Sequence, residues 1–210
     1  YGLPQSGRLA NDYLHKKLRP AGYYEVSLTP GLWKHVSCPI QFTLVVNDFG
    51  VKFIGDVHAK HLISTLKKDN DISIDWNGKL YVSIKLKWDN ENCTLDAHVP
   101  CYTKQALHKY QHPAPKKAQH APAKAAPIQY GAKVQTTSHD TSPKISLERI
   151  KHIQDVIGTF AWYARACDPT MAATLSYIVM RQSKAIANLE DKVQYFLDYC
   201  HTHPNAGVCL

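Results

Sequence analysis

Apolar and polar positions alternate most clearly over residues 41–55. On an extended chain Phe42, Leu44 and Val46 fall on one side and Thr43 and Val45 on the other, and a second apolar run goes from Phe49 to Ile54. Two such runs separated by a short polar pair predict a β-hairpin with Asn47-Asp48 at its tip. Because the first strand is apolar on both sides, it is expected to lie centrally in a covered sheet. The tip has two readings. Asn and Asp tolerate positive φ and bond their own backbone, which makes them ordinary turn residues. A carboxylate raised on a tight hairpin is also a rigid mount for a divalent metal.

The same period analysis places elements on either side. Leu9, Tyr13, Leu14 and Leu18 recur at helical spacing and stop at Pro20 and Gly22, which predicts an amphipathic helix packed on the sheet. Tyr23–Val26 and Leu32–Val36 are strand candidates around a Thr-Pro-Gly turn. Ala59, Leu62, Ile63 and Leu66 mark a second helix with Lys60, Lys67 and Lys68 toward water. Alternation then returns at Ile72–Trp76, at Leu80–Trp88 and at Cys93–Val99, with turns at Asn77-Gly78 and Asp89–Asn92. In the middle run Val82, Ile84, Leu86 and Trp88 share a face opposite Lys85 and Lys87. Those lysines suit a phosphate backbone, and they equally suit protection of an exposed strand edge. Tyr102–Tyr110 is a short helix.

Periodicity vanishes between residues 112 and 145, where Pro, Ala and Lys dominate, so this stretch is expected to be an extended, solvated linker. Beyond it, Ser146 is positioned to cap a helix bearing Leu147, Ile150, Ile153, Ile157 and Phe160. Asp168-Pro169 starts another helix, and Asn188 is expected to cap a third bearing Leu189, Val193, Phe196 and Leu197. Trp162, Tyr163, Tyr195 and Tyr199 read as core or rim aromatics. The fold class is therefore α+β: an antiparallel sheet with packed helices over residues 1–111, a linker over 112–145, and a small helical region over 146–210.

Composition narrows the function classes. The 210 residues carry a formal charge of +8. Residues 1–111 hold 14 Lys/Arg against 10 Asp/Glu, residues 112–145 hold 5 against 1, and residues 146–210 hold 6 against 6. The basic excess thus lies in the first half and the linker, as suits a polyanionic partner. The six cysteines show no Cys-x-x-Cys pair and no zinc-module spacing, which predicts free, mostly buried thiols in a reducing compartment. His201-Thr-His203 is the one close histidine pair near a cysteine, and no second cluster completes a tetrahedral set with it. No run reaches the length of a membrane span and no basic-then-apolar leader is present, so an intracellular, non-secreted protein with no membrane partner is expected. The start at Tyr1, without methionine, predicts a piece of a longer polypeptide.

The order of these motifs resembles the reverse transcriptase of LTR retrotransposons, of the copia type. Tyr1-Gly-Leu-Pro-Gln5 with the Arg8–Leu18 helix is similar to the segment before that family's catalytic hairpin. Leu44-Val-Val-Asn-Asp48 stands where the family has a Val-Asp-Asp box, and Gly78-Lys-Leu-Tyr-Val-Ser-Ile84 resembles the lead into its primer grip. Residues 156–163 with Asp168-Pro169, and residues 193–199, resemble the helical region before the ribonuclease H domain. The resemblance implies a partial polymerase palm over 1–111 and a thumb- or connection-like region over 146–210, within the remainder of a pol polyprotein.

It also implies a chemistry: RNA-directed DNA synthesis on an RNA/DNA primer-template duplex, by two magnesium ions that activate the primer hydroxyl and stabilise the leaving pyrophosphate. Carboxylates are needed because two adjacent dications repel unless anionic ligands neutralise them. Asp48 is the implied metal ligand and Asn47 a degenerate catalytic position. Gln5 and Arg8 are implied contacts on the nucleotide side, and Lys85 and Lys87 on the nucleic-acid backbone. Two departures argue against present polymerase activity: the strand carrying the family's first carboxylate would precede Tyr1, and Asn47 supplies no charge. Ser83 replaces a common glycine. The alternative function is a catalytically dead nucleic-acid-binding module.

Overall fold

Helix α1 (Ser6–Leu18) starts after Gln5, whose side chain makes no capping bond, and stops where Pro20 forces a tight 3-10 turn over Arg19–Ala21. Gly22 follows in the left-handed region at φ 89. The computed structural model describes residues 5–125, 130–131 and 141–210, so Tyr1-Gly-Leu-Pro4 of the family-like segment and residues 126–129 and 132–140 of the linker lie outside it. The chain divides into two compact units, residues 1–83 and 84–210.

In the first unit, strands β1 (Tyr23–Glu25), β2 (Leu32–His35), β3 (Ile40–Val45) and β4 (Asp48–Phe53) form an antiparallel sheet in chain order. Helix α2 (Asp56–Lys67) follows. One sheet face carries Tyr23, Trp33, Ile40 and Phe42 into a core completed by Leu18 of α1 and by Leu62 and Leu66 of α2. Trp33 and Phe42 stack with ring centroids 5.9 Å apart. Burying each such side chain contributes about 1.5–3 kcal/mol, and this core is what fixes the strand register.

Several expectations for this unit need correction. Strand β3 is central but buried on one face only: Ile40 and Phe42 are buried, whereas Thr43 and Val45 on the other face are exposed. The apolar stripe of α1 is narrower than its spacing implies, because Leu9 and Tyr13 are exposed and only Leu14 and Leu18 reach the core. Residues 72–76 form no strand. There the Asp75 carboxylate accepts bonds from the backbone N–H groups of Asn77, Lys79 and Leu80 at 3.0, 2.7 and 3.3 Å, holding its pKa below the ordinary carboxylate value. Such an acceptor offers the backbone an alternative to a ladder. The run from Leu80 to Trp88 is likewise broken: β5 is only Leu80–Tyr81, and a turn at Val82–Ser83, with φ of 50 and 65, separates it from the next strand.

The second unit begins with β6 (Ile84–Asp89), β7 (Thr94–His98) and α3 (Tyr102–Lys109). Helices α4 (Leu147–Ala166), α5 (Ala172–Val179) and α6 (Ala187–Thr202) follow, and β8 (Gly207–Cys209) returns to pair antiparallel with β7. Strand β8 has no forecast in the sequence pattern. The Ser146 hydroxyl accepts the Arg149 N–H at the start of α4, as predicted. Ile186, not Asn188, occupies the N-cap of α6. Ile153, Phe160, Ile178, Val193 and Phe196 build the helical core with Ala106 and Leu107 of α3. Asp168 is buried, accepting bonds from the Thr170 N–H and the Tyr199 hydroxyl at 3.2 Å each.

The described part of the proline-rich stretch is not a free tether. His112 Nε2 lies 2.8 Å from Asp198 Oδ1, the Gln119 N–H donates to Thr202 Oγ1 at 3.0 Å, and Lys124 sits over the Tyr195 ring. Residues 112–124 therefore run as a strap along α6. Proline fixes the strap in an extended form and removes donors, so its bonds go through side chains and the remaining N–H groups. All six cysteines are free, and the expectation that most are buried fails: Cys167 and Cys200 are buried, while Cys93, Cys101 and Cys209 are exposed. Among the described residues no helix is long and apolar enough to cross a membrane.

Candidate functional site

The β3–β4 hairpin pairs Ile40 with Phe53, Phe42 with Val51, Leu44 with Phe49 and, last, Val45 with Asp48. The turn is therefore Val46-Asn47 rather than Asn47-Asp48, and Asp48 is the first residue of β4. Burial explains the shift. The observed register sets Ile40 and Leu44 on the core face opposite Phe53 and Phe49, which pack against the same core, whereas a turn one residue later would slide the pairing by two and take Phe53 away from Ile40.

The consequence is a valine at φ 58 in a two-residue turn, with its side chain 81% exposed. A β-branched residue crowds its own backbone there, at a cost of about 1–3 kcal/mol. Asn47 and Asp48 are both exposed and stand side by side at the end of the sheet. The strain stays local because the hairpin is held on its outer face as well. Thr43 Oγ1 and Tyr81 Oη are 2.7 Å apart, and Gly50 lies under the Tyr81 ring, where an added Cβ would meet Thr43 Oγ1 at 2.8 Å and ring carbons at 3.1 and 3.2 Å. These three residues were missed in the sequence. The one available signal was a glycine inside a strand pattern, which marks close approach of a neighbour.

The other predicted positions belong to other elements. Gln5 is exposed at the N-terminal end of α1, and Arg8 is an outer-face residue, 88% exposed, with its Nε 4.0 Å from Asp12 Oδ2. Among the described residues no hydrogen bond or ion pair joins either of them to Asn47 or Asp48. Lys85 and Lys87 belong to the second unit, exposed on one face of β6, where Lys85 is registered opposite His98 and Lys87 opposite Asp96. That carboxylate interrupts the basic face. Ser83 adopts φ 65, a left-handed position where glycine is favoured.

A two-cation phosphoryl-transfer site needs several carboxylate oxygens converging on both ions. The hairpin offers one carboxylate, from Asp48, and one neutral amide, from Asn47. Among the described residues no group of three or more His, Cys, Asp or Glu side chains is placed to share an ion. This donor set does not fit two dications. No family model matches the chain, and comparisons with curated proteins and with solved structures find no match.

Proposed function

We propose that this chain is a reverse-transcriptase-derived fragment of a retrotransposon polyprotein, a part of a polymerase palm followed by a thumb- or connection-like helical region. The observation that carries the reading is the turn itself: a Val46-Asn47 turn strained at Val46, with Asp48 on the first position of β4, in an antiparallel sheet backed by two helices. Strain of this kind persists where the surroundings over-determine it, and it clusters at functional sites. An exposed hairpin with no functional past would gain stability from glycine or asparagine at the first turn position.

The ancestral reaction in this reading is nucleotidyl transfer with magnesium, and the present chain does not perform it. Asn47 adds no negative charge beside Asp48, so two dications brought to this tip lack the anionic ligands that offset their repulsion. The partner that remains is a primer-template duplex, engaged through the basic side chains of the first half of the chain and the linker. The second reading, a catalytically dead nucleic-acid-binding module, draws on the same basic excess of 14 Lys/Arg over 10 Asp/Glu in residues 1–111.

Primer extension on an RNA template, with magnesium or manganese, tests the chemical half of the proposal. No product is expected. Template-dependent synthesis by the 210-residue chain would overturn it.

A further inference from the structure

The strap over α6 brings His120 against His203, just past the end of that helix. His120 Nδ1 and His203 Nε2 face one another at 3.3 Å, with ring centroids 5.3 Å apart and the ring planes inclined by 68°. Two nitrogens held at ~2.0–2.1 Å from a tetrahedral zinc stand about 3.3–3.4 Å apart, so the rings already span one edge of a zinc coordination tetrahedron. We propose that His120 and His203 form a two-histidine clip for a divalent transition cation of the zinc type, which fastens the proline-rich strap to the C-terminal end of α6.

The neighbouring backbone holds both rings in place. Gln119, next to His120, donates its N–H to Thr202 Oγ1 at 3.0 Å, and Thr202, next to His203, donates its hydroxyl to the Asp198 carbonyl at 2.9 Å. The His203 N–H closes α6 on the Tyr199 carbonyl at 2.9 Å, and its ring lies 5.0 Å from the Tyr199 ring. The two histidines are thus oriented by contacts that need no metal, and preorganisation of this kind lowers the ordering cost of binding. His120 is exposed and His203 half-buried, so a cation reaches them from solvent. Among the described residues no third His, Cys, Asp or Glu side chain completes the set. The remaining positions fall to water or an added ligand, and imidazole nitrogens with open positions suit zinc, nickel or copper better than magnesium or calcium. This clip is independent of the polymerase reading.

The test is zinc titration of the full chain by calorimetry, paired with trypsin digestion. The unaltered protein is expected to bind one zinc in its tightest step, and His120→Ala and His203→Ala each to lose at least about tenfold in that affinity. His108→Ala, an exposed histidine on α3, is expected to leave it unchanged. Zinc is expected to slow cleavage after Lys117 and Lys124 in the unaltered protein and not in the two clip variants. His120 lies on the strap, outside the helical core, so that variant keeps the test open even where His203→Ala destabilises α6. Parent-like zinc affinity in His120→Ala, or cleavage in the unaltered protein that zinc does not slow, overturns the proposal.

Discussion

Val45 and Asp48 are the last cross-strand pair of the β3–β4 hairpin, which leaves Val46 and Asn47 to make the whole turn, with Val46 at φ 58. The Val46 side chain is 81% exposed, so replacing it forfeits little burial. Glycine at this position relieves a left-handed strain of about 1–3 kcal/mol and adds back roughly 0.5–1 kcal/mol of unfolded-state entropy. Val46→Gly is therefore expected to stabilise the first unit by about 1 kcal/mol, read as a higher urea midpoint with an unchanged slope. An unchanged or lower midpoint contradicts the strain assignment.

The outer clamp makes the opposite forecast. A methyl group at Gly50 would meet Thr43 Oγ1 at 2.8 Å and the Tyr81 ring at 3.1 Å, so Gly50→Ala displaces the ring and breaks the bond between the two hydroxyls. The expected loss is about 1–3 kcal/mol. In a Tyr81→Ala background the ring contacts are gone and the Thr43 hydroxyl, released from Tyr81, can rotate away from the added methyl, so the cost is expected to fall below half. Equal costs in both backgrounds would show that Tyr81 does not brace the hairpin.

Alkaline pH probes the core beneath the sheet. Burial pushes the Tyr23 hydroxyl up to about 12, with a smaller contribution from Cys38, and the hydroxyl lies 3.0 Å from His61 Nδ1. The folded state holds this proton more tightly than the unfolded state. The associated stability is fully present below the ordinary tyrosine value of 10 and is lost as pH rises through about 12. Denaturation midpoints measured across this window are expected to fall more steeply for the parent than for Tyr23→Phe. Parallel slopes would remove Tyr23 from the account.

Much of this architecture is legible in the sequence because it follows from burial. The apolar spacing of α4, its Ser146 cap, and the pairing of two apolar runs into a hairpin all depend on side chains that must leave water. What escapes depends on partners far along the chain. Asn47-Asp48 has the better turn chemistry, yet the register that sets Ile40 and Leu44 opposite Phe53 and Phe49 on the core face closes the hairpin through Val46-Asn47. The Val82–Ser83 turn goes against local preference in the same way, placing a β-branched residue at φ 50. The strap is the clearest case. Composition alone reads residues 112–124 as solvated, and only α6, with Asp198, Thr202 and His203, gives them somewhere to bind.

The reading of this chain as polymerase-derived and still able to engage nucleic acid is tested most directly by fluorescence-anisotropy titration of a labelled RNA/DNA primer-template duplex with the full chain, repeated from low to high salt. The account predicts saturable binding whose log affinity falls linearly with log salt, as counterions are released from the phosphates. No binding at the lowest salt, or binding indifferent to salt, would contradict it.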